Sequence, residues 1–197
     1  MRPKIRNLTV IAVFSTLAFL IMLLEFSLPV FPPFLKFDFS DLPALLVGLW
    51  LGPLSGIMVV MGKNILHLFV TATVGIGELA NFLIGASLTA SASYLFTKKG
   101  FTLKVSLFWG GLAMILSSVF VNYFLIIPLY EKILKLPLEQ ILELAARVNP
   151  YVDSLFSYLL LVIIPFNLTK MIIIGLLTYL LYIRIKPILK KGGYISE

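Results

Sequence analysis

A bundle of membrane-spanning α-helices is the fold this sequence predicts, and three observations carry the prediction. Hydrophobic residues make up 60% of the 197-residue chain and charged residues only 13%, too few charges to coat a water-soluble domain of that size. The apolar runs are long and do not alternate with polar residues, which favours helices over the strands of a membrane barrel, the two structures that satisfy every backbone group in lipid. The basic residues gather in clusters between those runs, as the loops of a multi-pass protein do.

The elements follow in order. Arg2, Lys4 and Arg6 precede an apolar run from Leu8 to Leu24, long enough to span and followed by no small-residue cleavage pattern, so it reads as a first helix and not as a removed signal. Six spans fit a single membrane domain over residues 1–197, at roughly 8–27, 41–52, 54–72, 77–97, 104–128 and 154–183. The second is short, and runs of that length are often re-entrant. Charge parity argues for counting it. Ten of the sixteen basic residues lie at Arg2, Lys4 and Arg6, at Lys98, Lys99 and Lys104, and at Arg184, Lys186, Lys190 and Lys191. The positive-inside rule places all three clusters, and so both termini, in the cytoplasm. Four crossings and then two achieve this, whereas a single crossing over 41–72 would turn the later clusters outward. Gly48, Gly52 and Gly56 recur at four-residue spacing, which suits close helix packing, and Gly52-Pro53 reads as a tight turn with Pro53 opening the third helix.

The external connections are unequal. Loop one, residues 28–40, contains Pro32-Pro33-Phe34-Leu35-Lys36-Phe37-Asp38-Phe39-Ser40 and runs into Asp41-Leu42-Pro43. A plain connection needs no such mixture, so it reads as a cap over a binding site. Residues 71–77 are small and suited to close backbone approach to a ligand. Within the long connection 129–153, the segment 137–147 sets Leu138, Ile141, Leu142 and Ala145 against Glu139, Glu143 and Arg147. That is an amphipathic helix on the outer surface, either anchoring there or covering the site.

Ionisable and amide groups inside lipid are costly and usually face a cavity or a partner. Lys63, Asn64, His67, Glu78, Asn81, Asn122, Asn167 and Lys170 are such groups. Asn167 and Lys170, three residues apart after Pro165, share one face of the last helix and suit a carbonyl-bearing ligand; the alternative pairs Lys170 with Glu78 or another carboxylate. Asn64 and His67 share a face of the third helix, and Glu78 and Asn81 one of the fourth. Lys63 and His67 serve either packing or a proton path. Phe34, Phe37 and Phe39 of loop one can stack on a planar ring or sit at the membrane interface. The sequence has no Gly-x-x-x-x-Gly-Lys-Ser/Thr phosphate loop, and one histidine with no cysteine makes zinc improbable. An enzyme, a metal site and a resident cofactor are therefore not expected, nor is a nucleic-acid partner, since the net charge of +7 tracks topology.

Several stretches in this order resemble a known family: Leu35-Lys36-Phe37-Asp38-Phe39-Ser40-Asp41-Leu42-Pro43, Gly52-Pro53, Lys63-Asn64, Gly75-Ile76-Gly77-Glu78-Leu79-Ala80-Asn81-Phe82, Asn122-Tyr123 with Pro128-Leu129-Tyr130, and Pro165-Phe166-Asn167-Leu168-Thr169-Lys170. Together they resemble the substrate-binding S component of energy-coupling factor (ECF) vitamin transporters, the riboflavin-specific type most of all. The resemblance implies a six-helix protein of the cell membrane that binds riboflavin near its outer face under loop one. It implies partners: a membrane coupling subunit and two ATPase subunits that hydrolyse ATP. It implies substrate contacts from Leu35, Phe37, Thr73, Val74, Gly75, Asn122, Asn167 and Lys170. Lys36 and Asp38 then lock the lid, with Asn64, Glu78 and Asn81 as further support. The family's small-x-x-x-small contact with the coupling subunit corresponds best to Ala12 and Thr16. Two other readings stand beside it: an S component for thiamine or biotin, and a standalone ion-coupled transporter using Lys63, His67 and Glu78.

Overall fold

The computed structural model describes residues 3–191; Arg2, and the side chains of Lys4, Lys190 and Lys191, lie outside what is described. Helix α1 (Pro3–Met22) is followed by strands β1 (Phe26–Ser27) and β2 (Lys36–Phe37), then α2 (Asp41–Leu51), α3 (Pro53–His67) with a 3-10 turn at Leu68–Val70, and α4 (Ile76–Thr97). Helix α5 (Leu103–Val121) runs through a π-helical turn at Asn122–Ile126 into α6 (Ile127–Ile133). After α7 (Leu138–Ala146), α8 (Leu155–Tyr158) passes through a second π turn at Leu159–Ile163 into α9 (Ile164–Lys191).

Local chemistry sets these boundaries. Gly52 adopts φ of 97°, a backbone that other residues resist, and ends α2; Pro53 then starts α3 at a position where its missing N–H costs nothing. The Thr102 side chain accepts from the Val105 N–H and caps α5. Ser154 and Ser157 form a reciprocal capping box before α8.

Among the described residues, five helical stretches are long and apolar enough to cross a bilayer: Ile5–Met22, Pro53–Val70, Ile76–Thr97, Leu103–Ile133 and Leu155–Ile188. Helix α2 has 11 residues, about 16 Å at 1.5 Å per residue and so about half the hydrocarbon thickness. It tolerates that length because protein surrounds it: Ala44, Leu45 and Val47 are fully buried. Its tight seat depends on glycine. A Cβ on Gly48 would lie 2.2 Å from Ser93 Oγ on α4, and one on Gly56 would lie 2.5 Å from Thr89 Cγ2. The packing role expected of these two glycines is therefore visible, while Gly52 serves the turn.

Helix α1 packs on α2 and α3, α4 joins α2, α3 and α5, and α9 lies against α5 and α2. One end of the bundle carries the basic connection 98–104. The other carries loop one, the 68–75 turn and α7. Helix α7 is amphipathic as expected, and it is more than a surface anchor. Ile141 and Ala145 are buried in one apolar cluster with Phe31 and Phe37 of loop one and with Tyr158 and Phe166.

A cavity under a laced lid

Loop one folds over the bundle as a short hairpin, with Phe26 opposite Phe37 in the β1–β2 pair. Beneath it lies a cavity of about 560 Å³, within the range of sites for small organic molecules. Apolar and aromatic residues form most of its wall, among them Met22, Phe34, Leu35, Met114, Tyr158 and Phe166.

Polar groups enter this wall in three sets. The first is a buried ion cluster. Asp41 Oδ1 lies 2.6 Å from Lys63 Nζ and Asp41 Oδ2 lies 2.9 Å from Lys170 Nζ; Lys170 also reaches Asp38 Oδ2 at 3.2 Å. Lys63 donates to the Ser40 hydroxyl, and the Ser40 N–H donates to Asp38 Oδ1 at 2.7 Å. Lys63 and Asp41 are 0% and 1% exposed, so neither charge is relieved by water. Two ammoniums balance two carboxylates, and the cluster is formally neutral. It ties the lid to the last helix across 132 residues of sequence. Burial alone would raise the Asp38 carboxyl, but the Lys170 and Lys63 ammoniums outweigh burial and hold it below the ordinary carboxylate range. Gly85 makes room for the cluster, because a Cβ there would sit 2.8 Å from Asp41 Oδ1.

The second set surrounds Glu78. His67 Nδ1 lies 2.8 Å from Glu78 Oε1, while the Thr71 and Thr73 hydroxyls donate to Oε2 at 2.8 and 3.1 Å. Those threonines accept in turn from the Gly75 and Gly77 N–H groups. The turn 71–75, read from sequence as a flexible approach surface, is thus stapled to α4. Asn81 lines the cavity beside it and accepts from Asn64 Nδ2 at 3.3 Å.

The third set is a pair of amides. Asn122 Nδ2 donates to the Ser118 carbonyl at 2.8 Å and Asn167 Nδ2 to the Ile163 carbonyl at 2.9 Å. Asn122 opens one π turn and Asn167 follows the other by one helical turn; such local widenings often accompany functional sites. Both line the cavity. With one amide proton used internally, each keeps a second donor and a carbonyl acceptor.

The cavity therefore brings together Phe34, Leu35, Lys36, Asp38, His67, Thr73, Glu78, Asn81, Asn122, Asn167 and Lys170 of the residues singled out from sequence. Others lie elsewhere. Phe37 is 1% exposed and packs on Phe26, Phe39 and Phe166, with ring centroids 5.7, 5.3 and 6.5 Å away; it pins the lid and does not line the cavity. Val74, at φ of 54° and 69% exposed, is turned outward by the left-handed turn it shares with Gly75, and neither lines the cavity. Asn64 and Lys63 stand behind the wall, supporting Asn81 and Asp41. Ala12 and Thr16 are exposed on α1, remote from the cavity, with the Thr16 hydroxyl donating to the Ala12 carbonyl at 3.1 Å. Sequence reasoning passed over Glu25, Asp41 and Tyr130, which also line the cavity. The available signal for the first two was an acidic residue inside a stretch read as membrane-spanning. Among the described residues, no cluster of His, Asp and Glu could hold a metal ion.

A helical bundle in lipid that encloses a lidded, largely apolar chamber with a few inward amides and balanced charges is a membrane-embedded small-molecule binding protein. Residues 6–182 match the family described as ECF transporter, substrate-specific component. The chain belongs to that family. The riboflavin transporter FmnP of Bacillus subtilis (strain 168) is 37% identical over 191 residues, covering 93% of this chain and 94% of that protein. The riboflavin transporter RibU of Staphylococcus aureus (strain TCH60) is 34% identical over 188 residues, covering 94% and 93%. A solved structure described as the S component of a bacterial ECF transporter superposes with a TM-score of 0.74 at 31% identity, covering 95% of this chain and 99% of that one. The chain is thus a multi-pass component of a cell-membrane transporter and not an enzyme.

Proposed function

We propose that this chain binds riboflavin with high affinity and delivers it as the substrate-specific subunit of an ATP-driven ECF transporter. The observation that carries the reading is the chamber itself. Its apolar, aromatic wall suits a flat tricyclic ring, and Asn122, Asn167 and Lys170 converge on it with donors and acceptors. Relatives named as riboflavin transporters, more than 30% identical over nearly the whole chain, support the choice of ligand. An uncharged flavin also suits a polar cluster that already balances its own charges.

In this reading the ring packs against Leu35, Phe34 and Phe166. Asn122, Asn167 and the remaining Lys170 proton bind the imide edge and ring carbonyls. Asn81, Thr73 and Glu78 face the hydroxylated chain. Riboflavin is cargo, no cofactor is resident, and no bond is made or broken here. The basic end of the bundle faces the cytoplasm and the lid faces outward. The coupling subunit docks on α1 at Ala12 and Thr16, and its two ATPase partners supply the energy.

Titrating purified protein into riboflavin tests this. Stoichiometric quenching of flavin fluorescence at sub-micromolar concentration is the expected result. Absence of quenching at micromolar vitamin, or displacement of flavin by thiamine or biotin in competition, overturns it.

A further inference from the structure

A second hollow lies on the lipid-facing side of the bundle, between α5 and α9, apart from the riboflavin chamber. The two helices touch at Gly111, where a Cβ would come within 2.3 Å of Met171 Cγ. One turn further towards the basic end they have parted. A Cβ on Gly175 would meet nothing within 4 Å. The groove that opens below this crossing measures about 400 Å³ and is lined by Leu107, Phe108, Met171, Gly175 and Tyr179, with Lys104 at its mouth. The Lys104 ammonium stands 5.3 Å from the centre of the Tyr179 ring, within cation–π range.

Apart from the Tyr179 ring, the charge at this mouth meets no carboxylate in the described walls of the groove. Neither α5 nor α9 contains a single Asp or Glu, and the sequence has none between Glu78 and Glu131. Lys98 and Lys99 lie in the same connection and add to the positive field, and Arg184 and Lys186 are exposed near the end of α9. An apolar slot open sideways to lipid, with a cation at its polar end, has the layout of one kind of molecule: an amphiphile with an acyl chain and an anionic headgroup. We propose that this groove is a binding site for an anionic phospholipid, whose headgroup pairs with Lys104 and whose chain fills the space left beside Gly175. A zwitterionic choline lipid fits the slot equally well but brings a second cation to the mouth, so selectivity rests on Lys104.

The full chain in nanodiscs of equal parts dioleoyl phosphatidylglycerol and dioleoyl phosphatidylcholine, released for native mass spectrometry, gives the test. The expected result is retention of phosphatidylglycerol at least fivefold over phosphatidylcholine. Lys104→Glu and Lys104→Gln should each remove that preference. Gly175→Leu, which places a side chain in the groove, should lower retention of phosphatidylglycerol severalfold. Circular dichroism and melting temperature check that each variant is folded, and the exposed Lys104 variants carry the test if Gly175→Leu does not fold. Equal retention of the two lipids by the parent chain overturns the proposal, as does a preference that survives Lys104→Glu. So does loss of the bound lipid on assembly with the other transporter subunits, which would mean that a protein partner covers the groove.

Discussion

Replacing Lys170 by methionine separates the latch the structure gives this side chain from the flavin contact proposed for it. Lys170 bonds both Asp38 of the lid and Asp41 of α2. Lys170→Met keeps the length and apolar bulk but strands Asp38, whose remaining bond is the Ser40 N–H; Asp41 keeps Lys63. Removing one partner of a buried ion pair costs about 3–5 kcal/mol. Asp38 can escape much of that cost because it sits on a loop that can lift into water, whereas Asp41 at the root of α2 cannot. The penalty therefore appears chiefly as an open lid. If binding requires a closed lid, affinity falls by the same free energy, about 10²- to 10⁴-fold in Kd. The double variant Asp38→Asn/Lys170→Met removes the stranded charge and lets the lid close again. Its remaining loss is the proposed hydrogen bond from the ammonium to the flavin, about 1.5–3 kcal/mol for a charged donor. Flavin fluorescence titration of both single variants, the double variant and the parent completes the cycle. The double variant should bind at least tenfold tighter than Lys170→Met. If it binds no better, Lys170 acts on the ligand alone and the lid-latch reasoning is wrong.

Three further outcomes follow from other parts of the molecule. Ala12→Trp should leave flavin affinity within about twofold while abolishing uptake in cells carrying the whole transporter, because Ala12 is exposed on α1 and far from the cavity; normal uptake would move the coupling face elsewhere. Glu78→Gln weakens the staple through Thr71 and Thr73, so amide exchange of residues 71–77 should accelerate by tenfold or more with α4 below it unchanged. The Asp38 carboxyl is held below its ordinary value by lysines, so its contribution to lid closure is present above about pH 4. That contribution fades as pH falls through the depressed folded value, so flavin dissociation should be flat from pH 7 to 5 and quicken only in stronger acid. An onset near pH 6 would point to another group.

The large features were legible because they depend on local pattern. Apolar runs and basic clusters placed the helices, Pro53 marked the start of α3, and the three-residue spacing of Asn167 and Lys170 put both on one wall. What was not legible is non-local or too small for periodicity to register. The partner of Lys170 was foreseen only as Glu78 or another carboxylate. It proved to be Asp38 with Asp41, a contact that closes over more than a hundred residues. Asp41 reads from sequence as the end of the lid stretch and the first residue of a span, and nothing nearby reveals that Gly85 leaves a notch for its carboxylate. The π turns before Ile127 and Ile164 each insert one residue into a helical turn, which hydropathy cannot detect. A ligand contact for Phe37 is what the family resemblance implies, and an aromatic on a lid can face either way. Its partners Phe26 and Phe166 come from the other strand of the lid hairpin and from the last helix, contacts that periodicity does not register.

The ion cluster raises a question of its own. A buried network of this kind contributes little net stability, and well-packed apolar residues of similar volume often do as well or better. Stability is therefore a poor reason for four charges beneath this lid. Geometry offers a better one. Apolar contacts between loop one and the bundle tolerate sliding, whereas Asp38 must meet Lys170 within about an ångström or leave its own carboxylate without a cation, Lys170 keeping Asp41. The penalty makes partly closed lids unfavourable and leaves two well-separated states, closed and open to water. The same logic explains why Asp41 is shared by both lysines: it keeps Lys170 fixed when the lid leaves, so the closed state can reform against a prepared surface.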